Sequence, residues 1–243
     1  MWLGGTDVSQ VAVAACPEGI VVASESLVTS GPSRKARGLA QKVFPIGPRL
    51  AFAAVGNASM PDPRIDDRWP GLGAHLVTLS GGKPVEGAPV DVASRIAQFV
   101  VDVLQYLAER PRGWEGLAIA TWHVRYVVAG FAAEGGAGVV SSWTATTAEA
   151  FEDSRLTTDG TGKVALGVFD EWPRLERPRR IGSDPSDGPV LDRAEAAARR
   201  VVNLAMKHYP SACGGPLQVL RILPEGGCRW VDRPEWIGPI EGD

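Results

Sequence analysis

The stretch VAVAACPEGIVVA, residues 11–23, decides the fold. Two apolar runs, Val11–Ala15 and Ile20–Ala23, flank a short turn at Cys16–Gly19. Short continuous apolar runs that are bounded by turn residues are typical of strands buried on both faces. The pattern therefore predicts a β-hairpin in the protein interior, and a similar run at Leu50–Val55 predicts a further buried strand.

Two longer segments carry the period of an α-helix. Residues Val92–Glu109 follow Asp91, a residue type that caps helices. One face of this helix carries the apolar residues Ile96, Phe99, Val100, Val103, Leu104 and Leu107. The second segment is Arg193–His208, before which Asp192 can form a capping box with Glu195. The side chains expected to be buried against a sheet are Phe99, Val103, Val201 and Leu204.

The remaining strand signals lie after residue 116. They are Leu117–Trp122, Tyr126–Phe131, Gly138–Trp143, Pro216–Leu223 and Cys228–Val231. Stretches rich in Pro and Gly near 59–90 and 172–190 predict irregular insertions. Strands at both ends with two helices between them predict a single α+β domain over 1–243, with two facing sheets and the helices outside.

Composition bounds the class of protein. The chain has 243 residues, a hydrophobic fraction of 44% and a formal net charge of −3, which are values of an ordinary globular protein. Phosphate binding needs a basic surface, so no nucleic-acid partner is expected. No apolar run reaches the roughly 18–20 residues that span a bilayer, and the first residues lack the pattern of a signal peptide. We expect a cytoplasmic protein without a membrane partner.

The cysteines and histidines show no metal-binding pattern. Cys16, Cys213 and Cys228 are an odd number without CxxC spacing, and each lies in or beside an apolar stretch, which predicts buried free thiols. The three histidines are scattered along the chain: His75, His123 and His208. We therefore expect neither a metal site nor a cofactor.

Six motifs follow one another along the chain. They are Gly19–Gly31, Lys42–Phe44, Ala54–Ala58, Val127–Phe131, Asp159–Gly162 with Ala165–Gly167, and Ser211–Val219. Their order, with two helices between them, resembles that of a proteasome-type subunit of the N-terminal-nucleophile hydrolases. The resemblance implies a four-layer αββα sandwich. It also implies a homo-oligomer that cleaves an amide or peptide bond through an acyl-enzyme.

The resemblance also implies a set of catalytic residues. In this family the Thr, Ser or Cys that begins the mature chain is the nucleophile, and its own α-amino group is the general base. By position, Lys42 matches the catalytic lysine, Glu25 the acid that holds it, and Gly56 the glycine of the oxyanion hole. Thr161 matches a serine near the terminal amine. The alternatives are a structural ion pair for Glu25 and Lys42, a close-packed strand end for Gly56 and a turn residue for Thr161.

Two positions compete for the role of nucleophile. Ser9 lies sixteen residues before Glu25, which is about the family spacing. Thr6 follows Gly5 in the Gly-Thr junction at which precursors of this family cut themselves, but it lies three residues earlier than Ser9. An odd shift turns a strand side chain to the opposite face unless a bulge intervenes. Geometry thus favours Ser9 and the junction favours Thr6, and either needs processing to free its amine.

Part of the family pattern is absent. Pro210 stands where the family has an aspartate, and Cys213 where it has a serine, so hydrogen bonds that would orient the terminal amine are weakened or lost. Three functions therefore stay open. The first is an N-terminal-nucleophile peptidase or amidohydrolase with a peptide or amide substrate, the second is a noncatalytic scaffold or binding subunit, and the third is a small-molecule amidase.

Overall fold

A computed structural model describes residues 10–30, 35–56, 76, 83–109, 123–132, 135–158, 165–169 and 189–237. The elements in chain order are β1 (Val11–Cys16), β2 (Gly19–Ser24), β3 (Leu27–Ser30), β4 (Lys35–Leu39), β5 (Val43–Gly47), β6 (Leu50–Gly56), α1 (Pro89–Glu109), β7 (His123–Gly130), β8 (Val139–Thr146), β9 (Ala150–Thr157), β10 (Ala165–Phe169), α2 (Val190–His208), β11 (Gln218–Leu223) and β12 (Gly227–Asp232).

The described strands form three antiparallel sheets. The first sheet has the order β10-β1-β2-β11-β12, the second has the order β5-β6-β7-β8-β9, and β3 pairs with β4 alone. The predicted hairpin is confirmed, because Val11 pairs with Ser24 and Cys16 with Gly19. A Cβ on Gly19 would lie 2.8 Å from the Ile222 carbonyl oxygen, so the close approach of β11 requires glycine at this turn.

The two five-stranded sheets pack face to face around an apolar core. Val11, Val13 and Ile20 of the first sheet meet Ala53 and Val127 of the second in this core. Residues of alternate parity on β1 point to the opposite face because successive side chains of a strand alternate in direction. Both faces of β1 and β2 are buried, which explains why their sequences are continuously apolar.

One helix lies on the outer face of each large sheet. Helix α1 contacts β7 and β8, where Leu104 packs in one cluster with Phe52 and Tyr126. The Tyr126 hydroxyl donates to the Ala93 carbonyl at 2.8 Å, which joins the helix to β7. Helix α2 contacts β1 and β2 through small residues such as Ala194 and Ala198. The apolar stripes of both helices therefore face sheets.

The expectation of a four-layer αββα sandwich is wrong for the described residues. They contain two helices and three antiparallel sheets, so the architecture is mainly β. A helix is about 10–12 Å wide, whereas five strands spaced about 4.8 Å apart span about 19 Å. A single helix therefore covers only part of one sheet face and does not form a layer of its own.

The start of each helix also differs from the sequence-based expectation. Helix α1 begins at Pro89, so Asp91 lies in its first turn and not at its cap. The capping box of helix α2 is wrong, since this helix begins at Val190. The Glu18 carboxylate from the β1–β2 turn instead accepts from the Leu191 amide at 3.0 Å. A distant residue thus satisfies one of the free amides at this helix start.

The burial expected for the helices is confirmed in part. Val103 and Val201 are buried, and Phe99 is partly buried against the α1 cluster. The expectation for Leu204 is wrong, because its side chain is 40% exposed. Val201 and Val202 take the sheet-facing positions of this turn of α2, which leaves Leu204 on the outer side of the helix.

Several strands were missed, and some expectations cannot be compared. The pattern did not predict β3, β4, β5, β9 or β10, and β9 is an exposed edge strand without a clear apolar alternation. The predicted strand Leu117–Trp122 and the insertion near 172–190, apart from its last two residues, lie outside the described residues. Of the insertion near 59–90, only residues 76 and 83–90 are described. No helix in the described ranges is both long and apolar enough to cross a bilayer.

Candidate functional site

Glu25 and Lys42 form a buried ion pair between the two large sheets. Glu25 directly follows β2, and Lys42 directly precedes β5. The Lys42 ammonium donates to Glu25 Oε1, and the side chains are only 0% and 9% exposed. The contact expected from the sequence is therefore present. Its catalytic role stays a prediction.

The Glu25 carboxylate also receives backbone hydrogen bonds from three separate segments. Its Oε2 accepts from the Leu27 amide at 2.7 Å and, over a longer distance of 3.4 Å, from the Gly214 amide. Its Oε1 accepts from the Gln10 amide at 3.3 Å. The buried negative charge is thus balanced by one ammonium group and by amide dipoles, as a buried charge requires.

The Lys42 ammonium is bound to the same loop as the carboxylate. It donates to the Leu27 carbonyl at 2.6 Å in addition to Glu25. The Ser26 and Leu27 amides in turn both donate to the Gly214 carbonyl, at 3.1 and 2.9 Å. The segment that follows β2 is therefore held by the ion pair on one side and by the loop before β11 on the other.

Gln218 was not predicted as a site residue, although it lies within the Ser211–Val219 motif. Its side chain is fully buried, and its Oε1 accepts from the amides of Lys42 at 2.8 Å and Val43 at 3.1 Å. Its Nε2 donates to Ser26 Oγ and to the Ala40 carbonyl, both at 2.8 Å. The one sequence signal was a polar residue at the head of the apolar run that forms β11.

The backbone register brings Gly56 to the same end of the molecule as Lys42. Val43 pairs with Ala53 in the antiparallel β5–β6 ladder. Lys42 is one residue before Val43, and Gly56 is three residues after Ala53. Both therefore lie at the same end of the strands of the second sheet. Gly56 ends β6 and pairs with Val124 of β7. An oxyanion donor at this strand end stays a prediction.

Three expected site residues lie outside the described residues: Thr6, Ser9 and Thr161. Gln10 is the first described residue of the chain, and its amide contacts Glu25. Ser9 is covalently joined to Gln10. The chain therefore enters β1 beside the ion pair.

The segment with the unusual residues Pro210 and Cys213 connects α2 to this site. The Ala212 and Cys213 amides both donate to the Tyr209 carbonyl, at 2.9 and 2.8 Å. Cys213 is buried with Ala205 and Ala212. The next residue, Gly214, makes the backbone contacts to the Glu25 loop. This segment therefore contributes its backbone to the site.

The cysteines are confirmed as buried free thiols. Burial raises the pKa of the Cys16 thiol, and it raises the pKa of the Cys228 thiol to about 12. At neutral pH both sulfurs are thus protonated, and a thiol is a much weaker nucleophile than a thiolate.

The comparisons with known proteins add no family assignment. No family model matches the chain, and no curated protein is similar enough to it to count as a match. A function must therefore be argued from the Glu25–Lys42 site alone.

Proposed function

We propose that this protein is an amide-bond hydrolase whose nucleophile is the hydroxyl of its own processed N-terminal residue, Ser9 or Thr6. The buried Glu25–Lys42 pair beside the entrance to β1 is the observation that carries the proposal. A buried lysine held by a carboxylate is a positive charge that lowers the pKa of a neighbouring hydroxyl. The further proposals are a cytoplasmic location, a peptide or amide substrate and a homo-oligomeric assembly, with no nucleic-acid or membrane partner.

The proposed reaction needs few groups. The free α-amine accepts the hydroxyl proton while the oxygen attacks the amide carbonyl carbon. Lys42 stabilises the negative charge on the nucleophile, and the backbone amide at Gly56 donates to the oxyanion. The amine then returns the proton to the leaving nitrogen as the C–N bond breaks, which leaves an ester on the enzyme. Water hydrolyses that ester, releases the acid and restores the hydroxyl.

The test combines intact mass with labelling by a β-lactone, which acylates nucleophilic hydroxyls. We expect the purified protein to lack residues 1–8 or 1–5, and the probe mass to lie on the new first residue. Ser9→Ala and Thr6→Ala serve as controls for each other, because only the change at the true nucleophile blocks both processing and labelling. Lys42→Met should slow acylation by about 10²-fold or more, since the amine base alone then activates the hydroxyl.

A noncatalytic scaffold or binding subunit is the second candidate. It is favoured by the contacts of Glu25 and Lys42, which join β2, the loop before β11 and the start of β1. Such contacts stabilise a fold whether or not a reaction takes place. An unprocessed chain that the β-lactone does not label would contradict the hydrolase proposal and support this candidate.

A further inference from the structure

We infer that Gln218 is the positioning residue that fixes Lys42 in the candidate site. The catalytic consequence of this inference rests on the proposed hydrolase function, whereas the position of Lys42 can be measured without it. Gln218 begins β11 in the first sheet, and Lys42 lies just before β5 in the second. A single side chain of one sheet therefore holds the backbone of the other at the residue that carries the ammonium group.

The side-chain amide of Gln218 makes all the hydrogen bonds that it can form. Its carbonyl oxygen accepts two amides, from Lys42 and Val43, and its amide nitrogen donates to Ser26 Oγ and the Ala40 carbonyl. A glutamine side chain offers two donors and one oxygen with two acceptor positions, so every position is used. With no exposure to water, any change of its orientation would leave buried polar groups unpaired.

Lys42 is consequently held at both ends. Gln218 binds its main-chain amide, and Glu25 binds its ammonium group. Gln218 itself pairs across the sheet with Ser24, the residue before Glu25. Gln218 at the start of β11 and Glu25 just after β2 are thus neighbours at one end of the first sheet, which sets the direction of the lysine side chain between them.

The chain offers a matched control in Gln41. Its Nε2 donates to the Val43 carbonyl at 2.8 Å, so it contacts the same segment as Gln218. This side chain is only partly buried and makes one hydrogen bond among those described. Gln41→Met therefore removes an amide beside Lys42 without removing the contact to its backbone.

The first measurement is the rate at which acetic anhydride acetylates Lys42 in the folded protein, followed by mass spectrometry. Gln218→Met should raise this rate about tenfold, because the segment opens more often once its buried hydrogen bonds are lost. Gln41→Met should label at the wild-type rate. Gln218→Glu keeps an acceptor for the two amides but loses the donors to Ser26 Oγ and the Ala40 carbonyl, so it should label faster than the wild type and more slowly than Gln218→Met.

A general loss of stability must be separated from a local effect. Leu104→Ala destabilises the core under α1, on the far face of the second sheet, and should leave Lys42 labelling nearly unchanged under native conditions. If Gln218→Met labels Lys42 no faster than Leu104→Ala, or than the wild type, the inference is wrong. If Gln218→Met does not fold, the Lys42 acetylation rates of Gln218→Glu and Gln41→Met are compared instead. A faster rate in Gln218→Glu supports the inference, and equal rates overturn it.

The second measurement separates this inference from the proposed function. With the β-lactone, Gln218→Met should lower the maximal acylation rate about tenfold and leave the concentration for half-maximal rate unchanged, since the lysine acts on the nucleophile and not on probe binding. If the wild type is not acylated at all, the hydrolase proposal fails. Lys42 labelling then still decides whether Gln218 positions the lysine.

Discussion

Two charge clusters among the described residues differ mainly in their contact with water. The buried ion pair contains one lysine and one carboxylate, 9% and 0% exposed. The surface cluster joins α2 to β11 and β12 and contains five charged residues: Asp192, Glu195, Arg199, Arg221 and Asp232. Two of its carboxylates are 56% and 43% exposed. The larger cluster is therefore the one whose charges are screened by water.

This difference shows that burial, and not the number of ion pairs, decides how much the loss of one charge changes the free energy of unfolding. An exposed pair contributes about 0–1 kcal/mol because water screens it and both side chains lose freedom. A buried pair contributes little relative to an apolar pair of the same size, but removing one partner leaves a charge without compensation. The two clusters should therefore respond very differently to single substitutions.

The largest effect is expected for Glu25→Ala. Lys42 then stays buried without its carboxylate, and the Leu27 amide keeps the Gly214 carbonyl but loses the charged acceptor, so we expect a loss of about 3–5 kcal/mol in the free energy of unfolding. Urea denaturation followed by circular dichroism measures it. Glu225→Gln, in the exposed β11–β12 turn, is the control. A loss below about 1 kcal/mol would show that water reaches the ion pair.

The double variant Glu25→Leu with Lys42→Met sharpens the comparison. It removes both charges and keeps most of the volume, so it should recover about 1–4 kcal/mol relative to Glu25→Ala. The recovery is incomplete because the amides of Leu27 and Gly214 lose their carboxylate acceptor. The measurement is the same urea titration. A double variant no more stable than Glu25→Ala would mean that the backbone hydrogen bonds, and not the charges, dominate.

Arg221→Met should have a smaller effect in the surface cluster. Arg221 donates to Asp192 at 2.7 Å and to Glu195 at 2.7 Å, and its loss should cost about 0.2–1 kcal/mol. Because exposed charges are screened, the difference from the wild type should shrink in 1 M NaCl. Parallel thermal unfolding at low and high salt tests this. The difference caused by Glu25→Ala should stay unchanged by salt, and a similar salt response of both would contradict the comparison.

The smallest effect concerns the surface pair of Glu152 and Arg155 on β9. The hydrogen bond from Arg155 lowers the pKa of the Glu152 carboxyl below its usual 4.5, with help from Ser141. A carboxyl with a lowered folded-state pKa stabilises the protein above its unfolded pKa and loses that contribution as the pH falls through the folded value. Arg155→Met should therefore lower the free energy of unfolding slightly at pH 7, and by less than Arg221→Met does, because water screens an exposed pair.

The same variant should differ less from the wild type at pH 3 than at pH 7. Urea titrations at both values measure this difference. Arg229→Met, at an exposed position on β12, is a control whose effect should not follow the titration of Glu152. An Arg155→Met effect that grows towards pH 3 would contradict the assigned sign.

The sequence alone determined the features whose causes are local. Continuous apolar runs around a Pro-Glu-Gly turn specify the β1–β2 hairpin because both of its faces are buried. The stripe through Val103 and Leu104 specifies the sheet-facing side of α1. The Glu25–Lys42 contact has no local cause. It was expected because the order of the motifs resembles that of a family in which an acid and a lysine at these positions are in contact.

Only the tertiary structure decided the features whose partners lie far apart in sequence. Arg221 on β11 binds Asp192 and Glu195, so these residues do not form the capping box, and Glu18 of another turn binds the start of α2 instead. Gln218 reaches the amide of Lys42, 176 residues away. A buried polar group binds whichever partner the packing brings within hydrogen-bond distance. The separation of two residues along the chain does not give their distance in the folded protein. The contact between Gln218 and the Lys42 amide was therefore found only in the folded structure.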